Sequence, residues 1–232
     1  MDLKEEAALG AAIGSHWYYV SKSRAVEAHV KGRGLRLLDV GAGSGWFSRR
    51  FLERGIADHA VCVDPGYQAE REESIGPRRL SFRRSIETVE ADVVLLMDVL
   101  EHVDDDVGTL SFYTARARPG TEFIITVPAF AFLWSAHDDF LEHRRRYTRS
   151  GLLDVVRAAG LTEVSVHYYF ASIFPVAAVV RLLGRFRRPS RSDLKPVPAW
   201  LNTVLLALLS AERPLMRLNR VFGLSVVCHC RK

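Results

Sequence analysis

The chain predicts an α/β protein built on a doubly wound, largely parallel sheet, and three observations carry that prediction. An apolar run, Leu37-Leu38-Asp39-Val40, enters a glycine turn, Gly41-Ala42-Gly43-Ser44-Gly45, before a helix-compatible stretch. A second apolar run, Val61-Cys62-Val63, ends in Asp64, nineteen residues after Gly45. Two more strand-like runs follow at suitable distances, at residues 91–98 and 123–128. In such folds the glycines let the backbone approach a ligand, and the carboxylate at the next strand end receives ribose hydroxyls. The ligand is therefore expected to carry an adenosine.

The glycine spacing selects among adenosine ligands. A dinucleotide site needs a third glycine three positions after the second, where the helix packs closely and its N-terminus holds a pyrophosphate; here that position is Trp46. The spacing is G-x-G-x-G. Preceded by Asp39, it resembles motif I of the class I S-adenosylmethionine-dependent methyltransferases. The resemblance implies a Rossmann-like sheet of seven strands, doubly wound, the last antiparallel, with helices on both faces. It also implies S-adenosyl-L-methionine as cofactor and S-adenosyl-L-homocysteine as product. Asp39, Gly41, Ala42, Gly43 and Gly45 would surround the cofactor, with Asp64 on the ribose diol.

Later pieces extend the resemblance over roughly residues 35–130. Strand four ends in Asp98, and Asp98-Val99-Leu100-Glu101-His102-Val103 is similar to the D-V-L-E-H-V signature of the family, shared by ubiquinone-biosynthesis O-methyltransferases and many other relatives. Arg118-Pro119-Gly120-Thr121 resembles the turn before strand five, and Phe123-Ile124-Ile125-Thr126-Val127-Pro128 that strand. One place departs. Many relatives carry an aspartate for the adenine amino group after strand three, whereas Leu80-Ser81-Phe82 is followed here by Ser85, Ile86 and Glu87. The backbone of Ser85 and Ile86, or the Glu87 carboxylate, then takes that role. Asp98 and His102 are candidates for the methionine end of the cofactor, or else cap and pack the following helix.

Composition suits one buried core: 232 residues, 48% hydrophobic and 25% charged. A single domain, 1–232, is expected, divided into an N-terminal lid helix (1–34), a cofactor-binding core (35–169), a hydrophobic and basic helical insertion (170–222) and a final strand (223–232). Cys62, Cys228 and Cys230 form neither a paired framework nor a metal-ligand spacing, so no metal is expected and a reducing cytoplasm is the simplest compartment. The first residues, Met1-Asp2-Leu3-Lys4-Glu5-Glu6, are acidic where a secretory signal would be basic.

Residues 11–30, with His16, Trp17, Tyr18 and Tyr19, read as an amphipathic helix over the sheet edge. In methyltransferases of this kind such a helix closes over the cofactor. Trp17 and Tyr19 are then candidates to bind the acceptor, and Lys22 or Arg24 to pair with the cofactor carboxylate.

The segment after strand five leaves the C-terminal edge of the sheet, where open α/β folds bind ligands. Its aromatics and titratable groups, from Phe130 through Trp134, His137 and Asp138 to His143, Arg146 and Tyr147, have the composition of a pocket wall. Trp134, Arg146 and Tyr147 are assigned to the substrate. His143, with His137 as second choice, is the candidate general base, because an imidazole of unperturbed pKa about 6.5 is largely neutral at physiological pH. Asp138 or Asp139 would orient it. The plainer alternative makes the arginine run a solvated face and Thr148 the cap of the next helix.

Strand six is expected at residues 163–169 and strand seven at 224–230, with about fifty residues between them where a hairpin needs a handful. The intervening apolar stretches, 170–180 and 197–210, flank Arg181, Arg185, Arg187, Arg188, Arg191 and Lys195. Both fall short of the ~20 apolar residues a bilayer span requires. Two readings stand: a helical hairpin packed as extra core, or an amphipathic element at a membrane surface, with arginines on anionic headgroups. A hydrophobic hairpin near the pocket, with Phe130, Phe132, Leu133 and Trp134 close by, suggests a small-molecule or lipid-linked acceptor with a large apolar part. The second reading adds peripheral contact with the inner face of the membrane through 170–210. A formal charge of +5 and a pI near 9.3 raise a nucleic-acid methyltransferase, but the arginines cluster beside apolar helices and no appended RNA-binding motif is present. A non-catalytic interaction protein on the same fold is the remaining alternative.

Overall fold

The computed structural model describes residues 9–184 and 197–232; Arg185, Arg187, Arg188, Arg191 and Lys195 lie outside the described residues. A 3-10 turn over Gly10–Ser15 leads into α1, Trp17–Glu27. The alternating units that follow are β1 (Leu35–Val40), α2 (Trp46–Glu53), β2 (Ala57–Val63), β3 (Arg71–Ile75), β4 (Arg78–Arg83), β5 (Val93–Met97), α3 (Asp106–Arg116) and β6 (Glu122–Pro128). The site-side loop carries the short helix α4 (Ala136–Phe140) before α5 (Arg149–Ala158) and β7 (Thr162–Tyr169). The inserted helices are α6 (Phe174–Gly184) and α7 (Ala199–Glu212), and β8 (Ser225–Arg231) closes the sheet.

The strand order is β3-β4-β2-β1-β5-β6-β8-β7. Strands β4, β2, β1, β5 and β6 pair in parallel, and β8 runs antiparallel between β6 and β7, as expected of the last strand. Where seven strands were expected, the described residues form eight. The addition is β3, antiparallel to β4 across a turn at Gly76, whose φ is 60°. Its sequence, Arg-Glu-Glu-Ser-Ile, has no apolar alternation, because only one edge and part of one face are covered. Side-chain pairing holds it instead: Arg71 lies 3.5 Å from the Phe82 ring centre, and Arg49 reaches Glu73 at 2.5 Å. Such a charged edge also resists further strand pairing.

Because successive side chains on a strand alternate faces, the sheet carries two cores. Leu38, Val40, Val94, Leu96, Ile125 and Val127 pack with Leu110 of α3 and Leu152 and Val156 of α5. Leu37, Cys62, Val93, Leu95 and Ile124 pack with Phe47 and Phe51 of α2 and Tyr19 and Val26 of α1. A third cluster, Ala25, Tyr169, Phe170, Leu209, Met216 and Val227, ties α1 and α7 to the last strands.

The N-terminal helix departs from an amphipathic surface helix: from Tyr19 to Val26 every residue except Arg24 is buried. The inserted α7 covers its outer side. Asn202 accepts from the Trp17 backbone N–H at 2.8 Å and donates to the Ser15 carbonyl at 3.0 Å, so a side chain 185 residues away caps α1. The entry to α6 is fixed in the same way, since the Glu212 carboxylate accepts from the Ala171 and Ser172 backbone N–H groups at 2.8 Å each.

Behind α1, His29 and His167 stack with ring centres 5.0 Å apart, both buried and with no hydrogen-bond partner on either ring nitrogen. Burial, with Arg217 and His229 nearby, lowers the pKa of His29 to about 3; burial and Arg217 lower that of His167 to about 4. The unfolded chain binds protons below its ordinary histidine pKa of about 6.5 and the folded chain does not, so stability is complete above that pH and falls below it. Each group contributes about 1.4 kcal/mol per pH unit of the decline. The urea midpoint is expected to hold above pH 7 and to drop steeply between pH 6 and 4.5. A His167→Leu variant, measured in the same titration, should show a shallower drop.

Candidate active site

The glycine turn stands between β1 and α2, with φ of 62° at Gly41, 55° at Gly43 and 78° at Gly45. Left-handed backbone suits glycine, and at Gly45 space demands it too: a Cβ there would lie 3.0 Å from Cys62 Sγ and from Phe82 Cε1. Gly41 and Ala42 donate backbone N–H bonds to the Val63 carbonyl at 2.7 and 3.3 Å, which brings the end of β2 beside the turn. Asp64 follows directly, half-buried, its carboxylate accepting from Gly43 N–H at 3.2 Å and Gly66 N–H at 2.8 Å. Asp39 is buried beneath the turn. One of its oxygens accepts from Ser48 Oγ at 2.8 Å, the other has no partner, and burial pushes the carboxyl up to about 6.

The C-terminal strand ends carry unusual backbone. Asp98 after β5, Phe130 after β6 and Phe170 after β7 all have positive φ, 55°, 58° and 65°. Non-glycine residues hold that conformation only when their surroundings over-determine it. Phe130 stacks on Tyr168 at 4.9 Å and Phe170 on Tyr18 at 5.2 Å. Asp98 is bound on both oxygens, by Thr126 Oγ1 at 3.2 Å and by Lys22 Nζ, and its N–H donates to the Thr126 carbonyl.

Lys22 reaches this point from α1 and is buried to 2% exposure, its ammonium also donating to the Tyr18 hydroxyl at 3.1 Å. Burial opposes its charge, but the Asp98 carboxylate and Tyr18 more than offset it and raise its pKa. The same ammonium outweighs burial at Asp98 and holds that carboxyl below the usual range. Glu101, one turn further, is fully buried with neither oxygen partnered, and burial beside Asp98 pushes its pKa well up.

Opposite stands a second network. The Asp138 carboxylate, fully buried, accepts from His143 Nδ1 at 2.8 Å, Arg146 Nε at 2.7 Å and Nη2 at 3.0 Å, and the Ser135 backbone N–H at 2.8 Å. Burial opposes its ionisation, yet the bonds from His143 and Arg146 hold it well below the usual carboxylate range. His143 packs edge-on against His102 at 4.7 Å. Although the spacing of residues suggested no metal, Glu101, His102 and His143 offer ligand atoms within 4.8 Å of one another, a set able to hold a small cation.

Parts of both networks face one cavity of about 740 Å³, which Lys22 and Asp138 do not line. Its polar end holds Asp98, Glu101, His102, His137, His143 and Arg146; Trp17 and Tyr19 of α1 form one side, and Val176, Val180, Leu201, Leu205 and Leu208 of the inserted helices another. Of the residues read from the sequence, Trp17, Tyr19, Asp98, His102, His137, His143 and Arg146 line this cavity, whereas Asp39, the glycine turn and Asp64 do not. Trp134 and Tyr147, read from the sequence as substrate residues, do not line it either. Trp134 donates its indole N–H to Asp139 at 2.9 Å outside the cavity wall, and the buried Tyr147 hydroxyl donates to Asp106 at 2.7 Å, tying the loop to α3. Ser85 and Ile86 line a separate recess of about 370 Å³ with Leu38 and Val61. Glu101 and Arg181 were not singled out as site residues. The buried carboxylate in the D-V-L-E-H-V run was the available signal for the first, whereas Arg181 reaches the cavity only through the fold of the insertion.

The sheet order, the glycine turn after β1, the carboxylate at the end of β2 and the cavity over the C-terminal edge together define a class I S-adenosylmethionine-dependent methyltransferase. The chain belongs to the methyltransferase domain family, whose model matches residues 17–166. S-adenosylmethionine is its cofactor: the left-handed glycines of the turn, the unpartnered Asp39 oxygen and the Asp64 carboxylate fit it. Two curated relatives are ubiquinone biosynthesis O-methyltransferases. That of Paramagnetospirillum magneticum is 37% identical over 100 residues, 39% of each chain, and that of Hahella chejuensis 31% identical over 104 residues, 40% of this chain and 43% of its own. The match thus spans about two fifths of the relatives' length. Among solved structures, a Haloferax volcanii methyltransferase complex with the activator Trm112 shows a TM-score of 0.60 at 16% identity, covering 98% of this chain and 93% of its own. An Archaeoglobus fulgidus S-adenosylmethionine-dependent methyltransferase gives 0.55 at 16% identity, with 98% and 97% covered. Phosphoethanolamine N-methyltransferase 2 of Haemonchus contortus, bound to S-adenosylmethionine, gives 0.59 at 12% identity, with 99% and 56% covered.

Removing one partner of a buried ion pair leaves the other charge desolvated and destabilises by about 3 kcal/mol or more. Lys22→Met is expected to lower the unfolding free energy by about 3 kcal/mol, and Lys22→Met with Asp98→Asn to recover part of that loss. Urea denaturation of the three proteins checks both.

Proposed function

We propose that the protein methylates an oxygen or nitrogen of a small-molecule acceptor with a polar head and a large apolar part, of the kind found in lipid-linked metabolites such as polyprenyl quinone precursors. The cavity carries this reading: its polar end adjoins Asp98, and its far walls are aliphatic side chains of α6 and α7. The names of the two curated relatives support an oxygen as the acceptor atom.

In this reading Asp39, Gly41, Ala42, Gly43 and Gly45 hold the cofactor from the turn, and Asp64 takes the ribose. Ser85 and Ile86 serve the base, and Asp98 and His102 the methionine end. Lys22, with two of its three donors on Asp98 and Tyr18, has a third for a carboxylate. Bound S-adenosylmethionine supplies an electrophilic methyl group on a sulfonium. The protein's share is to orient the acceptor, exclude water and remove a proton.

His143 suits the last task. With Nδ1–H donated to Asp138, Nε2 keeps its lone pair, and that nitrogen accepts the acceptor's proton as the new bond to carbon forms. Arg146 and Asp138 hold the ring in place, while Trp17 and Tyr19 close the side of the cavity. His137 is the alternative base on the same wall.

Calorimetric titration with S-adenosylmethionine and S-adenosylhomocysteine tests the cofactor site. Asp64→Ala is expected to weaken binding about a hundredfold through the loss of charged hydrogen bonds. His143→Asn should leave that binding intact and lower kcat on a prenylated catechol by about a hundredfold. Unchanged turnover in His143→Asn would remove the histidine from the reaction.

A further inference from the structure

The inserted helices do two things at once. Val176, Val180 and Leu208 line the cavity and are also 69%, 63% and 42% exposed, so the chamber opens outward through an apolar rim. Around this rim the helices show Val179, Leu183, Trp200 and Val204 to solvent, between 54% and 73% exposed. The apolar surface does not stop at the helices. Phe174 at the start of α6 touches the exposed Phe222 with ring centres 5.3 Å apart, and the segment that ends there also exposes Leu215, Leu218 and Val221. A contiguous apolar surface rimmed by polar groups marks an interaction site. Arg213, Arg217 and Arg220 stand within that same 213–222 segment, which has no acidic residue, so the charge beside the apolar face is positive.

We propose that this face docks on an anionic lipid bilayer, and that the acceptor passes sideways from the bilayer into the cavity between α6 and α7. The second clause rests on the apolar acceptor proposed above; the first does not. Among the described residues no helix is long and apolar enough to cross a membrane, and α6 and α7 have 11 and 14 residues. Lengths of this order suit a helix pair lying in the interface, with its apolar side chains among the acyl chains and arginines at the headgroups. Trp200, 68% exposed near the start of α7, has the amphipathic ring favoured at that depth.

Co-sedimentation of the full chain with vesicles of phosphatidylglycerol and phosphatidylcholine, mixed and pure, tests the surface. Binding at least about tenfold stronger to the anionic vesicles, and weakening as salt rises, is expected. Quenching of tryptophan fluorescence by brominated acyl chains should be lost in Trp200→Tyr. The variant Val179→Ser with Leu183→Ser and Val204→Ser, all outside the cavity wall, should lose vesicle binding. It should keep calorimetric binding of S-adenosylmethionine, which separates a docking failure from a failed cofactor reading. Methylation of a long-chain prenylated catechol in vesicles should fall in that variant, and methylation of a short soluble analogue should not. Binding to neither vesicle type, or equal binding to both, would overturn the proposal, and a dimer by light scattering that the triple variant abolishes would overturn it in favour of a second copy of the chain as occupant.

Discussion

The ion pair between Lys22 and Asp98 is the contact on which the rest of the site depends. It joins the N-terminal helix to the end of a central strand across the edge where the ligand binds, and both partners are largely withdrawn from water. Neither charge tolerates that environment alone, so each fixes the other's position. The left-handed backbone at Asp98 is held by the same contacts, through Thr126 on one side and Lys22 on the other. The helix that closes the site and the carboxylate that faces it are therefore one unit.

The insertion between the last two strands extends that unit. Asn202 of α7 caps α1, Glu212 caps the entry to α6, and Leu209 and Met216 share a core with Ala25. Without this cover the outer face of α1, including Ala25, would meet solvent. The insertion thus buries the N-terminal helix and supplies the aliphatic half of the cavity. The polar half comes from the strand ends and the loop after β6, where the Asp138 carboxylate gathers His143 and Arg146. A chamber polar at one end and apolar at the other results from two parts of the chain that are far apart in sequence.

Much of this was legible before any coordinates. The glycine turn, Asp64, the two central apolar strands and the antiparallel last strand depend on local pattern, because backbone conformation and strand periodicity are local properties. The loop after strand five was readable as a pocket wall from its composition, and His143 with Asp138 does form a pair there. Trp134 and Tyr147 lay in the same loop with the same composition, yet one turns to Asp139 and the other to Asp106. Composition identifies the wall but not which face of each turn looks inward. The extra strand β3 had no apolar period to reveal it, since an edge strand held by charged side chains buries little.

The sequence by itself determined the sheet, the cofactor turn and the kind of ligand, because glycine spacing and strand-end carboxylates act over a few residues. Only the tertiary structure decided that Lys22 belongs to Asp98, that Glu101 is buried without a partner, and that His29 and His167 stack behind the lid helix. Each of these depends on long-range burial, and burial sets both the electrostatic environment of a charge and the partners within its reach. The same holds for α6 and α7. Their apolar character is written in the residues, but whether those residues are core, cavity wall or outer surface is settled by what packs against them, and here the two helices are all three.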